Sequence, residues 1–241
     1  MIRLVRAELA KLQGSLALLF ALIVPMLPAI LCVMALMTRD RPPAWSQMLD
    51  QFILPLWLLF MLPMVIAALA TLLAQIEYKA RAWDQVFSLP YPRWQIICAK
   101  SVVLVLALAI MSLLLAGYTY VLGYGAGTIS GNMPTGPMDP GGFSARILTV
   151  SGAAAFLCAI QLWAALRFGN FVVPLAIGIG GTMVALAVAM TGTRSADWFP
   201  WVLPFRTIDP ASGSQPVIIG LTGGLIVFAM MVTDLSKRLP R

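Results

Sequence analysis

The chain has 241 residues, 61% of them hydrophobic and 10% charged, with a mean hydropathy of +0.92. A soluble domain carries about 25% charged residues, so a water-soluble core of this length is excluded and the chain reads as an integral membrane protein. The net charge of +7 lies at the ends of apolar runs, where it meets headgroups rather than nucleic acid, and the absence of histidine excludes His-based acid–base catalysis, His-ligated metal sites and Ser–His nucleophiles.

In chain order, residues 1–15 form a short amphipathic lead. Ile2, Val5, Leu9, Leu12 and Leu16 share one helical face and Arg3, Arg6 and Lys11 lie off it, which predicts an interfacial helix running into the first span. The apolar run Leu16–Met37 exceeds the ~7–15 residues of a signal-peptide core, so it is read as a retained span. Six runs are long enough to cross ~30 Å of hydrocarbon: Leu16–Met37, Phe52–Gln75, Ser101–Tyr124, Ile147–Leu166, Phe171–Thr191 and Val217–Thr233. None carries Lys, Arg, Asp or Glu in its interior. Pro25, Pro28, Pro55 and Pro63 predict bends in the first two spans.

Between the second and third spans lies the densest charge in the chain, Gln75–Lys100 (QIEYKARAWDQVFSLPYPRWQIICAK). As a helix it places Ile76, Ala80, Trp83 and Phe87 on one face. Glu77, Arg81, Asp84 and Ser88 fall on a neighbouring stripe, with Glu77 and Arg81 at the favourable i,i+4 offset. Pro90 and Pro92 stop it near Leu89, and Arg93 and Lys100 flank the next apolar run. The pattern predicts an amphipathic element along the membrane face that a water-phase partner can grip, although a simple connecting loop fits it equally well.

The other connections differ in kind. Thr38–Gln51 is short, with Trp45 suited to the interface, and Gly125–Arg146 is rich in Gly and Pro, which predicts irregular backbone. Residues 192–216 hold the run Trp198 to Phe205, too short to span and too apolar for an ordinary loop. They predict a re-entrant or interfacial helix, or else an aromatic anchor. Gly220 and Gly224 form a GxxxG pair suited to close helix packing, within one subunit rather than between two. Cys32, Cys98 and Cys158 are too scattered for a disulfide framework.

Six spans put both termini on one side. With the termini in the cytoplasm, the inner side holds Arg3, Arg6, Lys11, Lys79, Arg81, Arg93, Lys100, Arg167, Lys237, Arg238 and Arg241, and the outer side holds Arg39, Arg41, Arg146, Arg194 and Arg206. The excess of basic residues on the first side predicts that orientation, with residues 76–98 in the cytoplasm. The predicted fold is therefore one all-α membrane domain over residues 1–241. It has six transmembrane helices, an N-terminal interfacial helix, a cytoplasmic helix between spans 2 and 3, and an outer apolar segment between spans 5 and 6.

No ionisable residue sits at mid-membrane depth, as an ion-coupled carrier would require. No GxxxxGK[ST] phosphate loop is present, so the energy for uphill movement must come from another polypeptide. No catalytic residue and no metal site stand out. Gln161 is the most conspicuous mid-span polar group, placed to bind a partner helix or to touch a substrate, and Thr182 is a weaker one.

Three stretches carry a family resemblance: the opening RAELAKLQGSLALLFALIVPMLPA, the segment LLAQIEYKARAWDQVFSLPYPRWQIICAK, and the six-span layout with an apolar outer loop before the last span. The chain resembles permease subunits of ABC transporters of the type-2 exporter class, and most of all the branch associated with lantibiotic and bacitracin-like immunity. Glu77, Trp83, Leu89-Pro90, Arg93 and Lys100 match its recurring pattern. The resemblance implies that residues 76–98 are the coupling region seated in the ATP-hydrolysing subunit, with Glu77, Lys79, Arg81, Trp83, Asp84, Phe87 and Arg93 as contacts. It implies an ATPase subunit dimer that holds ATP and Mg, none bound by this chain, and a second permease chain, identical or homologous. It also implies residence in the inner cell membrane and an exported peptide or lipid-like cargo, with Gln161, Thr182, Trp198 and Trp201 as candidates for the path near the fifth span. A membrane scaffold or sensor that recruits a soluble partner through the same helix is the alternative reading.

Overall fold

Proline and glycine decide where the helices of this chain start and stop. The computed structural model describes residues 1–38, 43–80, 91–137 and 139–238. Helix α1, Ile2–Leu12, ends at Gly14, whose φ of 74° is a left-handed conformation natural to glycine. Ser15 closes the corner by donating its hydroxyl to Leu12 O at 2.8 Å. Six helices long and apolar enough to cross a membrane follow: Leu16–Met34, Trp45–Tyr78, Arg93–Ser130, Gly141–Arg167, Val172–Thr191 and Gln215–Ser236, here spans 1 to 6. All regular elements among the described residues are helical.

The prolines act as expected in kind. Pro25 divides the span 1 region into Leu16–Ile23 and Met26–Met37. In span 2, wider π-helical turns at Met48–Ile53 and Trp57–Met61 lie beside Pro55 and Pro63. A proline has no N–H to give the ladder and its ring crowds the preceding turn, so the register loosens around it.

The bundle has an inside and an outside. Spans 2, 3 and 4 bury most surface; span 4 packs on spans 6, 2 and 3, while span 1 lies on span 3 and span 5 on span 2. Spans 1, 5 and 6 turn most of their apolar surface outward. Span 6 meets span 4 through the GxxxG pair: a Cβ on Gly220 would stand 2.5 Å from Ala153 O, and one on Gly224 3.0 Å from the Ala155 backbone. The pair is thus used inside one subunit. Gly178 and Gly181 do the same for span 5, against Ala67 and against the Trp201 indole.

Three expectations are corrected, and the segment between spans 5 and 6 gains its detail. Span 2 starts at Trp45, two turns before Phe52, and Trp45 is buried against Tyr120 with ring centroids 5.3 Å apart. The glycine-rich 125–146 stretch is largely helical: span 3 runs to Ser130, and the next helix begins at Pro140, capped by Asp139, whose carboxylate accepts from Gly142 N at 2.9 Å. The short remainder is tied down by Trp45 N to Thr135 O (3.0 Å) and Thr135 N to Pro43 O (3.1 Å). Gly127 serves close packing, since a Cβ there would meet Met133 and Pro134 at about 3 Å. The apolar 192–216 segment folds back onto the bundle. Trp201, Val202, Leu203 and Pro204 are buried, and the short helix Leu203–Arg206 packs on spans 4 and 6, so that within the run Trp198 to Phe205 only Trp198 is well exposed. Finally, Leu4 and Glu8 are the most buried residues of α1; Val5, Leu9 and Leu12 of the expected face pack partly buried against the core, while Ile2 and Leu16 point outward.

Candidate functional site: the ion cluster beneath spans 2 and 3

The helix of span 2 continues without a break through the predicted start of the polar element, as far as Ala80. Glu77 is its last acidic residue. The helix of span 3 starts at Arg93, and Lys100 lies two turns inside it, about 10 Å along the axis. Glu8 and Lys11, three apart on α1, share a face and form an ion pair at 2.6 Å. These four residues converge. Lys100 Nζ donates to Glu77 Oε1 at 2.6 Å and to Glu8 Oε2 at 2.8 Å, and Lys11 Nζ donates to Glu77 Oε1 at 2.9 Å. Lys100 and Glu77 are each 1% exposed and Glu8 is 5% exposed. Two carboxylates and two ammonium groups make a neutral cluster in a site with little water.

Neutrality is what makes such burial tolerable: each charge keeps opposite partners at contact distance in place of the water it lost. Burial alone would raise the Glu8 carboxyl, but Lys100 and then Lys11 outweigh it and hold Glu8 below its ordinary 4.5. Burial would likewise lower Lys11, but Glu8 and Glu77 outweigh it and hold the ammonium above its ordinary 10.5. One atom is left over. Glu77 Oε2 is buried and makes no hydrogen bond among the described residues.

Around the cluster, the same end of the bundle is clasped by polar contacts. Tyr78 donates its hydroxyl to Leu166 O at 2.6 Å. Trp163 Nε1 and Arg167 Nη1 both donate to Asp234 Oδ2 at 2.9 Å, joining spans 4 and 6. Arg93 Nη1 donates to Ser236 O at 3.0 Å, a carbonyl in the last turns of the final helix, where a cation is favoured by the free C=O groups. α1 and the end of span 6 therefore lie at one end of the molecule.

The predicted coupling residues divide. Glu77 faces the interior of the chain, where it binds Lys100 and Lys11. Arg93 is half-buried and fastens span 3 to span 6. Lys79 lies in the last described turn, and Arg81, Trp83, Asp84 and Phe87, with the expected Glu77–Arg81 pair, fall outside the described residues. Glu8 was not singled out by pattern reasoning, and Lys11 was placed on the solvent side. A usable signal was there: Glu8 and Glu77 are the chain's two glutamates, each beside basic residues at the edge of an apolar run.

Of the residues proposed for a substrate path, Gln161, Thr182 and Trp201 gather around span 5. Gln161 is fully buried, and its amide satisfies Pro174 O (3.1 Å) and Gly178 N (3.2 Å), two backbone groups four residues apart. Thr182 donates to Gly178 O at 2.7 Å. Trp198 stands apart at the surface. Gln161 joins span 4 to span 5, Thr182 bonds within span 5, and the buried Trp201 Nε1 has no hydrogen-bond partner among the described residues.

Six apolar helices, with ion pairs gathered toward the two ends of the bundle, define a multi-pass membrane protein. Its sequence matches the model of the family described as ABC-2 family transporter protein over residues 4–185, from α1 to the middle of span 5. The chain therefore belongs to the ABC-2 transporter family and is a membrane permease component of an ABC transporter, a transport part rather than a catalytic one. Comparison with curated proteins and with solved structures gave no match.

Proposed function

We propose that this chain is the membrane half of an ATP-driven exporter, worked by an ATPase dimer through residues 81–90 and moving a hydrophobic or amphipathic cargo such as an antimicrobial peptide. The carrying observation is the ion cluster. It bolts the two helices that bracket residues 81–90 to each other and to α1. Force applied to that segment then reaches spans 2 and 3 and α1 together, rather than being lost in a loose loop. Span 2 can respond because its π-helical turns and prolines divide it into short stiff pieces. A body without mid-membrane charges suits an amphipathic cargo better than an ion, and a second permease chain, identical or homologous, completes the exporter.

The test spares the cluster. A photoreactive amino acid at Asp84 is expected to crosslink the chain to a co-expressed P-loop ATPase, and Arg81→Glu is expected to lower cargo export while the permease still folds. A solvent-exposed Asp84 that captures no ATPase, together with full export by the Arg81 variant, would reject the reading.

A further inference from the structure

The end of the bundle opposite the termini holds a cavity that the coupling reading leaves unused. It lies between spans 2 and 4 and the 207–210 stretch and has a volume of about 430 Å³, inside the roughly 300–1,000 Å³ range of small-ligand sites. Its walls are of two kinds. Asp50 and Arg146 meet at its mouth as an ion pair, both part-exposed. Leu54 and Leu58 follow Asp50 one and two turns deeper along span 2 and, with Val150 of span 4, make an apolar floor. The polar wall is rich in acceptors. The hydroxyls of Thr149 and Thr207 already donate to Ala145 O (3.1 Å) and Pro204 O (2.6 Å), so they offer the cavity oxygen lone pairs rather than protons.

A second, smaller cavity of about 120 Å³ lies on the far side of the same ion pair and shares Asp50 and Arg146 with the first. It is also lined by Tyr120 and Asp139. The Tyr120 hydroxyl is buried and has no hydrogen-bond partner among the described residues. Arg146 thus sits between two sets of acceptors: Asp50, which it holds, and the Asp139 carboxylate and Tyr120 hydroxyl on the other side.

We propose that the larger cavity binds an amphipathic cation, its ammonium group on Asp50 and its first methylenes on Leu54, Leu58 and Val150. Arg146 is the tethered cation that fills this place when the cavity is empty. On binding it gives up Asp50 and moves to Asp139 and Tyr120, so no carboxylate is left without a counter-charge. The order of groups, carboxylate at the mouth and leucines inward, matches the order of head and tail in a single-chain amine entering from the membrane surface.

The experiment uses the full-length chain in nanodiscs of zwitterionic lipid, with empty nanodiscs subtracted, and follows a dansyl-labelled dodecylamine beside its uncharged amide analogue. Saturable binding of the amine is expected, with little binding of the amide. Asp50→Asn should weaken the amine by about tenfold or more, the loss of one charge-assisted hydrogen bond. Arg146→Gln should bind it as well as the parent or more tightly, because the competing internal cation is gone. Kept or tightened binding in the Arg146 variant beside lost binding in the Asp50 variant is what a merely structural ion pair cannot give, since both variants would then weaken together. Should the Asp50 variant fail to fold, the Arg146 variant and the amine-to-amide ratio still decide. Equal binding of amine and amide, or weaker amine binding in the Arg146 variant, would overturn the proposal. Binding is read on the permease alone, so its outcome is separate from whether an ATPase engages residues 81–90.

Discussion

Lys100 shows how a single side chain at a span boundary can hold three elements. Its ammonium touches a carboxylate from span 2 and one from α1, and it has almost no contact with water. Removing one member of such a cluster strands an odd charge, at about 3–5 kcal/mol for a buried pair. Glu77→Gln or Lys100→Met alone should therefore lower the unfolding temperature in detergent sharply. Glu77→Met with Lys100→Met should recover most of the loss, because Glu8 and Lys11 remain as a balanced pair; a double variant as unstable as the sum of the singles would refute the coupling. Glu8 adds a pH signature. Its carboxyl is held below 4.5, so its share of stability is complete above that value and disappears as the pH falls through the lower folded-state value. Lys11 is held above 10.5, so its share is complete below that value and fades as the pH rises past it. A spin label at Val5 should stay immobile from pH 5 to 8, loosen in acid, and be loose throughout in Glu8→Gln. Acid-insensitive mobility in the parent chain would contradict this assignment.

At the scale of elements, glycine contact rather than glycine flexibility joins the helices. Gly220 has backbone atoms of span 4 where its Cβ would stand, whereas Gly180 has open space. Gly220→Leu should destabilise the folded protein by about 1–3 kcal/mol or more through overpacking, and Gly180→Leu should be nearly neutral. Parallel thermal shifts of the two variants measure this, and equal effects would show that spans 4 and 6 are not in this contact. The GxxxG spacing pointed to close packing but could not name span 4 as the partner. The face of α1 was misjudged for a related reason. Ile2, Val5, Leu9, Leu12 and Leu16 are the apolar stripe, yet in a membrane protein an apolar side chain is as content facing lipid as facing protein. Val5, Leu9 and Leu12 pack partly buried against the core while Ile2 and Leu16 face outward, and the most buried positions are Leu4 and Glu8, the latter because its charge finds partners. The 125–146 stretch failed as a loop prediction because Gly125 and Gly127 lie inside the span 3 helix, Gly127 in close packing, and the Asp139-Pro140 pair starts the next helix, which leaves only Gly131 and Gly136 at positive φ in the short connection.

For the molecule as a whole, the ion cluster and the clasps to span 6 lie at the end of the termini, and Asp50–Arg146, Arg194–Asp209 and Arg206–Asp197 lie at the other. The excess of Lys and Arg at the terminal end predicts that it faces the cytoplasm. A cysteine replacing Ser212, in a chain stripped of Cys32, Cys98 and Cys158, should react with an impermeant maleimide added to intact cells; protection until the cells are opened would invert the topology. Outward-facing spans 1, 5 and 6 leave broad apolar surface for lipid and for the second permease chain proposed here.

The sequence by itself determined the class of the molecule. Six mostly apolar runs of 17 to 24 residues leave a bilayer as the only solvent in which this chain can fold, and the six crossings and the proline irregularities follow from local chemistry. Only the tertiary structure decided which charges are buried. Glu8, Glu77 and Lys100 are far apart along the chain, and a charge at the edge of a span looks the same in sequence whether it meets water or a counter-ion. That choice is made when two helices and the N-terminal lead pack close enough for the ions to replace one another's hydration.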